Sequence, residues 1–262
     1  MTWDSFELAC TDYLNERFGS YANFTHQGGA DSTTPDIFVE TKDGASFYIE
    51  AKNTPAQCGQ FVLLPNIEDS TFEYSRQNAN RINKYAKEIM DHMNHSFDEY
   101  RDAGTAGKSI NMINGEEVFS NWVIDTYGAK GVRYFIINDF TLFQINQFRD
   151  HLEITAKYRI KRSGSSYVGR SRIKDVADYV KCHDYSINEI RPDGDKLYVF
   201  SKKNLHDHRF ILGAYEYMFS ARDEKYEIRK LSNTYNANVI FTVLNKHRSG
   251  MSDAAFIAGL NR

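Results

Sequence analysis

Apolar positions recur at helical spacing near the start of the chain and then switch to alternation. In WDSFELACTDYLNERFG, residues 3–19, the side chains Phe6, Cys10, Tyr13, Leu14 and Phe18 fall on one stripe. That period predicts an amphipathic helix with Glu7 at the edge of its apolar face. Residues 35–53, PDIFVETKDGASFYIEAKN, alternate on both sides of Lys42-Asp43-Gly44 and predict a β-hairpin. Pro65-Asn66 then predicts a loop, and residues 72–102 a long helix carrying Ile82, Tyr85, Ile89, Met93 and Phe97. A further helix is expected over 116–127, with Val118, Trp122 and Val123. VRYFIIN, Val132–Asn138, is a continuous apolar run that fits a buried strand. Residues 143–152 read as the helix after it, and 197–201 and 239–244 as strands.

The hairpin has a checkable register. If Lys42-Asp43-Gly44 is the loop, with Gly44 left-handed, Thr41 pairs with Ala45. Asp36 and Glu50, each five residues further out, then stand directly opposite, with Cβ atoms about 4.5–5.5 Å apart. Alternation puts Glu50 and Lys52 on one face and Phe47, Ile49 and Ala51 on the other, where Ile37 and Val39 join them. A two-residue loop would shift the pairing by one and separate the carboxylates.

Two carboxylates beside an ammonium suit phosphodiester hydrolysis. Magnesium takes oxygen ligands at about 2.0–2.1 Å, keeps several waters, and needs one or two carboxylates to be held against a phosphate. Asp36 and Glu50 are the expected ligands, with the Ala51 carbonyl as a third. Lys52 can orient or deprotonate a water and offset developing charge.

The set Pro35, Asp36, Glu50, Ala51 and Lys52, preceded by a helix carrying Glu7, resembles the PD-(D/E)xK nuclease superfamily. The resemblance covers about residues 1–140 and is of the type II restriction endonuclease kind. It implies an α/β (α+β) fold with a restriction-endonuclease-like αβββαβ core and a mixed central sheet. It also implies hydrolysis with one or two Mg²⁺ per site, ligation by Asp36 and Glu50, and a catalytic Lys52. Glu7 matches the first-helix glutamate of some members, and Gln57 or Gln60 the glutamine that some place beyond the lysine.

Composition bounds the rest. At 262 residues, 41% hydrophobic and 26% charged, the chain has the make-up of a globular protein. No apolar run suits a membrane span or a secretory signal, and Cys10, Cys58 and Cys182 show no metal-type spacing. A reduced, cytoplasmic setting in a prokaryotic cell is expected. Asp102 to Ser109 approaches a phosphate-binding loop but has Asp where the first glycine belongs. His92 with His95, and His206-Asp207-His208, read as solvated groups, whereas His26 is close enough in sequence to the hairpin to touch DNA.

The net charge of −3 hides a division: residues 1–156 hold 12 basic and 23 acidic side chains, residues 157–262 hold 20 and 12. Lys157, Arg159, Lys161, Arg162, Arg170, Arg172 and Lys174 form the densest basic run, uninterrupted by acid. A phosphate backbone attracts such a run. The pattern predicts a strand through Tyr158 and Ile160, a turn at Ser163-Gly164-Ser165-Ser166, and a return strand from Tyr167 to Arg172. This ribbon would fit a major groove, with its Arg, Lys, Ser and Tyr side chains against bases or phosphates.

The sequence therefore reads as a sequence-specific, Mg²⁺-dependent double-stranded DNA endonuclease in two parts. Residues 1–153 form the catalytic core, and residues 154–262 a basic, β-rich recognition region packed on it. A palindromic target implies a homodimer. A structure-selective resolvase, a DNA-repair nuclease, or a DNA-binding module with an inactive site are the alternatives.

Overall fold

The computed structural model describes residues 3–28 and 34–261. The chain begins with α1 (Trp3–Phe18), β1 (Ala22–His26), β2 (Ile37–Thr41), β3 (Ser46–Lys52), β4 (Ala56–Asn66) and β5 (Thr71–Tyr74). There follow α2 (Lys84–His95), α3 (Phe97–Tyr100), β6 (Lys108–Ser109), α4 (Gly115–Ala129), β7 (Val132–Ile137), β8 (Thr141–Gln144) and α5 (Phe148–His151). Next come β9 (Leu152–Arg162), β10 (Ser165–Tyr167), α6 (Ile173–Cys182), β11 (Ile187–Asp193), β12 (Lys196–Ser201) and β13 (Arg209–Leu212). The last elements are β14 (Tyr215–Arg222), β15 (Lys225–Leu231), β16 (Tyr235–Asn245) and α7 (Asp253–Leu260).

Two compact units result, Met1–Arg159 with Ala237–Arg262, and Ile160–Asn236. This differs from a single cut at residue 153. Residues 154–159 and 237–262, expected in a recognition region, belong to the first unit because β9 and β16 are neighbouring strands of one of its sheets.

The first unit has two five-stranded sheets, ordered β1-β2-β3-β7-β8 and β5-β4-β16-β9-β6. In the first sheet β3 and β7 run parallel and the other neighbours antiparallel, so the sheet is mixed. Helix α1 lays its stripe on this sheet: Phe6, Cys10, Leu14 and Phe18 are buried with Ile37, Val39, Phe47, Ile49 and Ala51. Burying each large apolar side chain contributes about 1.5–3 kcal/mol. Helix α7 completes the same core, its Phe256 ring 4.8 Å from Phe18 and 5.1 Å from Tyr134. In the second sheet Phe61 and Phe241 meet Trp122 of α4, at 5.4 and 4.5 Å between ring centroids.

The expected hairpin register is the observed one. Ile37 pairs with Ile49 and Val39 with Phe47, Gly44 has φ 87°, and the Thr41 N–H donates to the Ala45 carbonyl at 2.9 Å. Other expectations are corrected. Pro65 and Asn66 lie inside β4, where only β5 flanks the strand, so the N–H that proline lacks is not needed. Residues 72–83 are not helical. Thr71–Tyr74 forms a strand against Leu63–Asn66, and the helix starts at Asn83, whose side chain accepts the Ala86 N–H at 2.8 Å. The helix expected over 143–152 is interrupted, because Leu142 and Phe143 pair with Ile136 and Phe135, leaving one short turn of helix before β9.

The second unit is a six-stranded sheet in the order β11-β12-β15-β14-β13, with β10 also paired to β15. Helix α6 buries Val176, Ala177 and Val180 in the cluster that holds Leu197, Val199, Tyr217, Phe219 and Ile228. Glu227 is also buried, and both its oxygens are occupied: Arg222 Nε reaches Oε2 at 3.1 Å and an Arg229 guanidinium nitrogen reaches Oε1 at 2.7 Å. The expected ribbon does not form. Lys157 and Tyr158 on β9 pair with β6, and Ser165–Tyr167 pairs with Leu231, Lys230 and Arg229. Gly169, at φ 85°, ends that strand, and Arg170–Arg172 is a 3₁₀ turn entering α6. Tyr158, read as a ribbon residue, is fully buried, its ring 5.2 Å from Phe72 and its hydroxyl donating to the Leu63 carbonyl at 2.8 Å.

Candidate active site

Asp36 precedes β2 and stands where the register puts it, across from the end of β3. Its Oδ2 accepts the Ala51 backbone N–H at 2.9 Å and lies 3.4 Å from Lys52 Nζ. The same ammonium is 2.5 Å from Glu50 Oε1. Glu50 is 4% exposed, and its second oxygen, Oε2, is buried with no hydrogen-bond partner among the described residues. The Tyr127 hydroxyl of α4 lies beside this carboxylate. An unpartnered buried carboxylate oxygen is a costly thing to keep.

The charges answer to that arrangement. Burial pushes the Glu50 carboxyl up from 4.5 to about 7; Lys52 opposes the rise and Asp36 adds to it. Burial alone would lower the Lys52 pKa, but Glu50 and Asp36 outweigh it and hold the ammonium above its ordinary range. Tyr127 is raised well above 10, first by burial and then by Glu50. Cys58, buried behind the lysine, is pushed up to about 12 by burial, against the pull of Lys52. It is no nucleophile at neutral pH.

Glu7 on α1 faces the same cleft. Its carboxyl is raised by burial and then by Asp36, and its Oε2 lies 3.2 Å from His26 Nε2. With Asp4 these two place one ligand atom each within 4.8 Å of one another. His26, expected near DNA, is thus tied to Glu7. The cleft, of about 700 Å³, is lined by Glu7, Asp36, Glu50, Lys52, Gln57, Gln60 and Tyr127, among others. Both glutamines face it because β4 bulges: Gln60 pairs with Ile240 and Gln57 with Thr242, so Cys58 and Gly59 together oppose Phe241. Gly59 has φ 90°, and a Cβ there would lie 2.7 Å from the Trp122 ring, so backbone conformation and close packing both demand glycine. Two buried carboxylates with an unfilled oxygen beside a fixed ammonium could hold a hard divalent cation next to a phosphate. The donor set fits Mg²⁺.

The residues expected to contact DNA are dispersed. Lys157 and Arg159 belong to the first unit and line a groove of about 760 Å³ with Gln57, Asn111 and Thr242. The others lie in the second unit. Lys161 and Lys174 are exposed. Arg162 pairs with Glu216, Arg170 with Asp195 at 3.2 Å, and Arg172 with Asp175 at 3.9 Å. Ser163 donates to Ser232 Oγ at 2.9 Å, Ser166 to the Tyr167 carbonyl at 3.3 Å, and Ser165 accepts Arg229 through its carbonyl at 2.9 Å. Tyr167 lies beneath Arg229 and Lys196, 4.6 and 4.9 Å from its ring centroid. Tyr127, which lines the cleft from α4, was missed by sequence reasoning, since nothing in the motif points to it.

No helix among the described residues is long and apolar enough to cross a membrane. No protein-family model and no curated protein matches the chain. Among solved structures it is similar to the HhaI endonuclease in complex with DNA, with 35% identity, a TM-score of 0.76 and 100% of each chain covered. Identity at that level along its whole length means that the chain belongs to the family of the HhaI endonuclease.

Proposed function

We propose that the protein is a sequence-specific, Mg²⁺-dependent double-stranded DNA endonuclease of the type II restriction kind. The observation that carries this is the cleft in which Asp36, Glu50 and Lys52 converge, with Glu50 Oε2 left unpartnered. Membership in an endonuclease family supports it.

In this reading Asp36 and Glu50 hold the metal, with the Ala51 carbonyl as a third ligand and Glu7 on the flank for a second ion. Bound there, Mg²⁺ supplies Lewis-acid polarisation of the phosphoryl oxygen and a more acidic water. The chain's own groups do the rest. Glu50 must lose its proton to bind, which at its raised pKa happens near neutrality. Lys52 stays charged beside two carboxylates, so this geometry makes it a donor and counter-charge for the phosphate rather than a proton acceptor. Tyr127 closes the floor behind Glu50. Lys157 to Lys174 supply phosphate contacts, Lys157 and Arg159 from the first unit and the others from the second, in place of one ribbon.

The test is incubation with unmethylated phage DNA, with and without Mg²⁺, alongside Lys52→Ala. Discrete Mg²⁺-dependent fragments, lost in the variant, are the expected result. Preference for branched substrates would replace restriction by a resolvase or repair activity. Binding without cutting under any metal would leave a DNA-binding module. The homodimer expected for a palindromic target belongs to this proposal. Accumulation of nicked circles from a supercoiled plasmid would instead mean one chain cutting the strands in turn.

A further inference from the structure

Lys52 is the last residue of β3, and the chain turns away immediately after it towards β4 and its two cleft-facing glutamines. A strand end is free to fray unless something fastens it. The parallel partner β7 supplies the fastening. Lys52 is in register with Ile137, the last residue of that strand, and the next residue, Asn138, has its whole side chain committed to the turn after β3. Asn138 Oδ1 accepts the Thr54 N–H at 2.8 Å and the Thr54 hydroxyl at 2.6 Å. Asn138 Nδ2 donates to Asn53 Oδ1 and to the Thr54 carbonyl, both at 3.0 Å. An asparagine amide has two acceptor lone pairs and two donor hydrogens, and all four are used here on two successive residues. Aspartate would lose both donors, and serine or alanine would span none of it.

We infer that Asn138 is a positioning residue for Lys52: by stapling Asn53 and Thr54 to the end of β7, it fixes the height of the lysine between Asp36 and Glu50. The side chain touches none of the catalytic groups. Its effect runs through the backbone of two residues. Catalytic lysines need placement to a fraction of an ångström, and a 1 Å displacement can cost about 100-fold in rate. Without the staple, Lys52 would still find its carboxylates, but with the looseness of a strand end.

The activity arm of the test rests on the nuclease reading; the spectroscopic arm does not. The variants are Asn138→Ala, the milder Thr54→Val, which removes only the hydroxyl bond, and Asn94→Ala as a control. Asn94 accepts the Phe72 N–H at 2.7 Å, away from the cleft, and so reports on general destabilisation. The readouts are the single-turnover cleavage rate at saturating DNA, DNA affinity, melting temperature, and the ¹⁵N signal of the Lys52 ammonium. That signal should be protected from exchange in the native protein, where Lys52 is held at 2.5 Å from Glu50. Expected for Asn138→Ala is a rate loss of about 10–100-fold with DNA affinity unchanged and the ammonium signal broadened. Thr54→Val should show a smaller loss in the same direction, and Asn94→Ala neither effect at a similar melting temperature. The inference is overturned if Asn94→Ala loses as much rate, or if the Lys52 signal survives unaltered in Asn138→Ala and Thr54→Val. Failure of the native protein to cut DNA would sink the nuclease reading while leaving the ammonium signal to decide the staple.

Discussion

Glu50 and Glu227 are both buried on β-strands among basic side chains, one in each unit, and they are completed differently. Glu227 has an arginine on each oxygen. Glu50 has one lysine on one oxygen and, among the described residues, no hydrogen-bond partner on the other. The first arrangement is closed, because charge and hydrogen-bonding capacity are both met by the chain. The second is open, and burial lifts its carboxyl to about 7. A buried ion pair that lacks one partner holds binding capacity in reserve, and the proposed function puts the cation at that oxygen.

The largest expected effect separates the two outright. Lys52→Ala should lower Mg²⁺-dependent cleavage by at least about 1,000-fold while DNA binding persists, as measured by single-turnover cutting and gel shift. Glu227→Gln should leave the cleavage rate per folded molecule unchanged. Its cost is stability: about 3 kcal/mol in urea unfolding, the low end for a broken buried pair because Arg222 is half exposed. Cutting that fails in Glu227→Gln while the fold stays intact would break the comparison.

A third effect depends on pH. The folded carboxyl of Glu50 titrates near 7 against about 4.5 unfolded, so its contribution to stability is full below 4.5 and is lost as pH rises through 7. At 1.36 kcal/mol per unit this is about 3 kcal/mol between pH 4.5 and 7.5 in metal-free protein. Glu50→Gln should lack that loss, and saturating Mg²⁺ should offset it in the native chain. Denaturation curves at pH 5 and 8 measure both. A pH-independent difference between native and variant would mean that Glu50 is not the group concerned. The smallest effect belongs to Arg170→Ala, since that side chain is 83% exposed and its ion pair is with exposed Asp195. It should weaken DNA binding modestly and lower the salt slope by about one.

The carboxylate pair was legible because one short loop fixes it. Three residues ending in a left-handed Gly44 set the register, and the register sets Asp36 against Glu50. Helix α1 was legible for a similar reason, since its stripe is a local period. What lay hidden depends on partners far along the chain. Ser165–Tyr167 alternates well enough to suggest a ribbon with β9, but its partner is β15, more than sixty residues on. Gly169 was the local sign that the strand stops there. Thr71–Tyr74 shows no helix-breaking signal of its own, and only β4 beside it makes it a strand. Tyr127 enters the site from α4, Asn138 holds the turn after β3 from just beyond β7, and the motif itself points to neither.

The placement of α7 has a temporal consequence. Phe256 and Leu260 are buried in the core beneath α1 and the β2–β3 hairpin, and β16 lies between β4 and β9. On a ribosome, the strands bearing Asp36, Glu50 and Lys52 emerge long before the residues that seal the layer beneath them. Domains fold as units once their parts are available. The hairpin therefore waits, unsealed, until synthesis has passed Leu260. A nascent chain of this kind carries Asp36, Glu50 and Lys52 early but cannot seal the layer beneath them until Phe256 and Leu260 have been made, so the candidate site is completed late in synthesis.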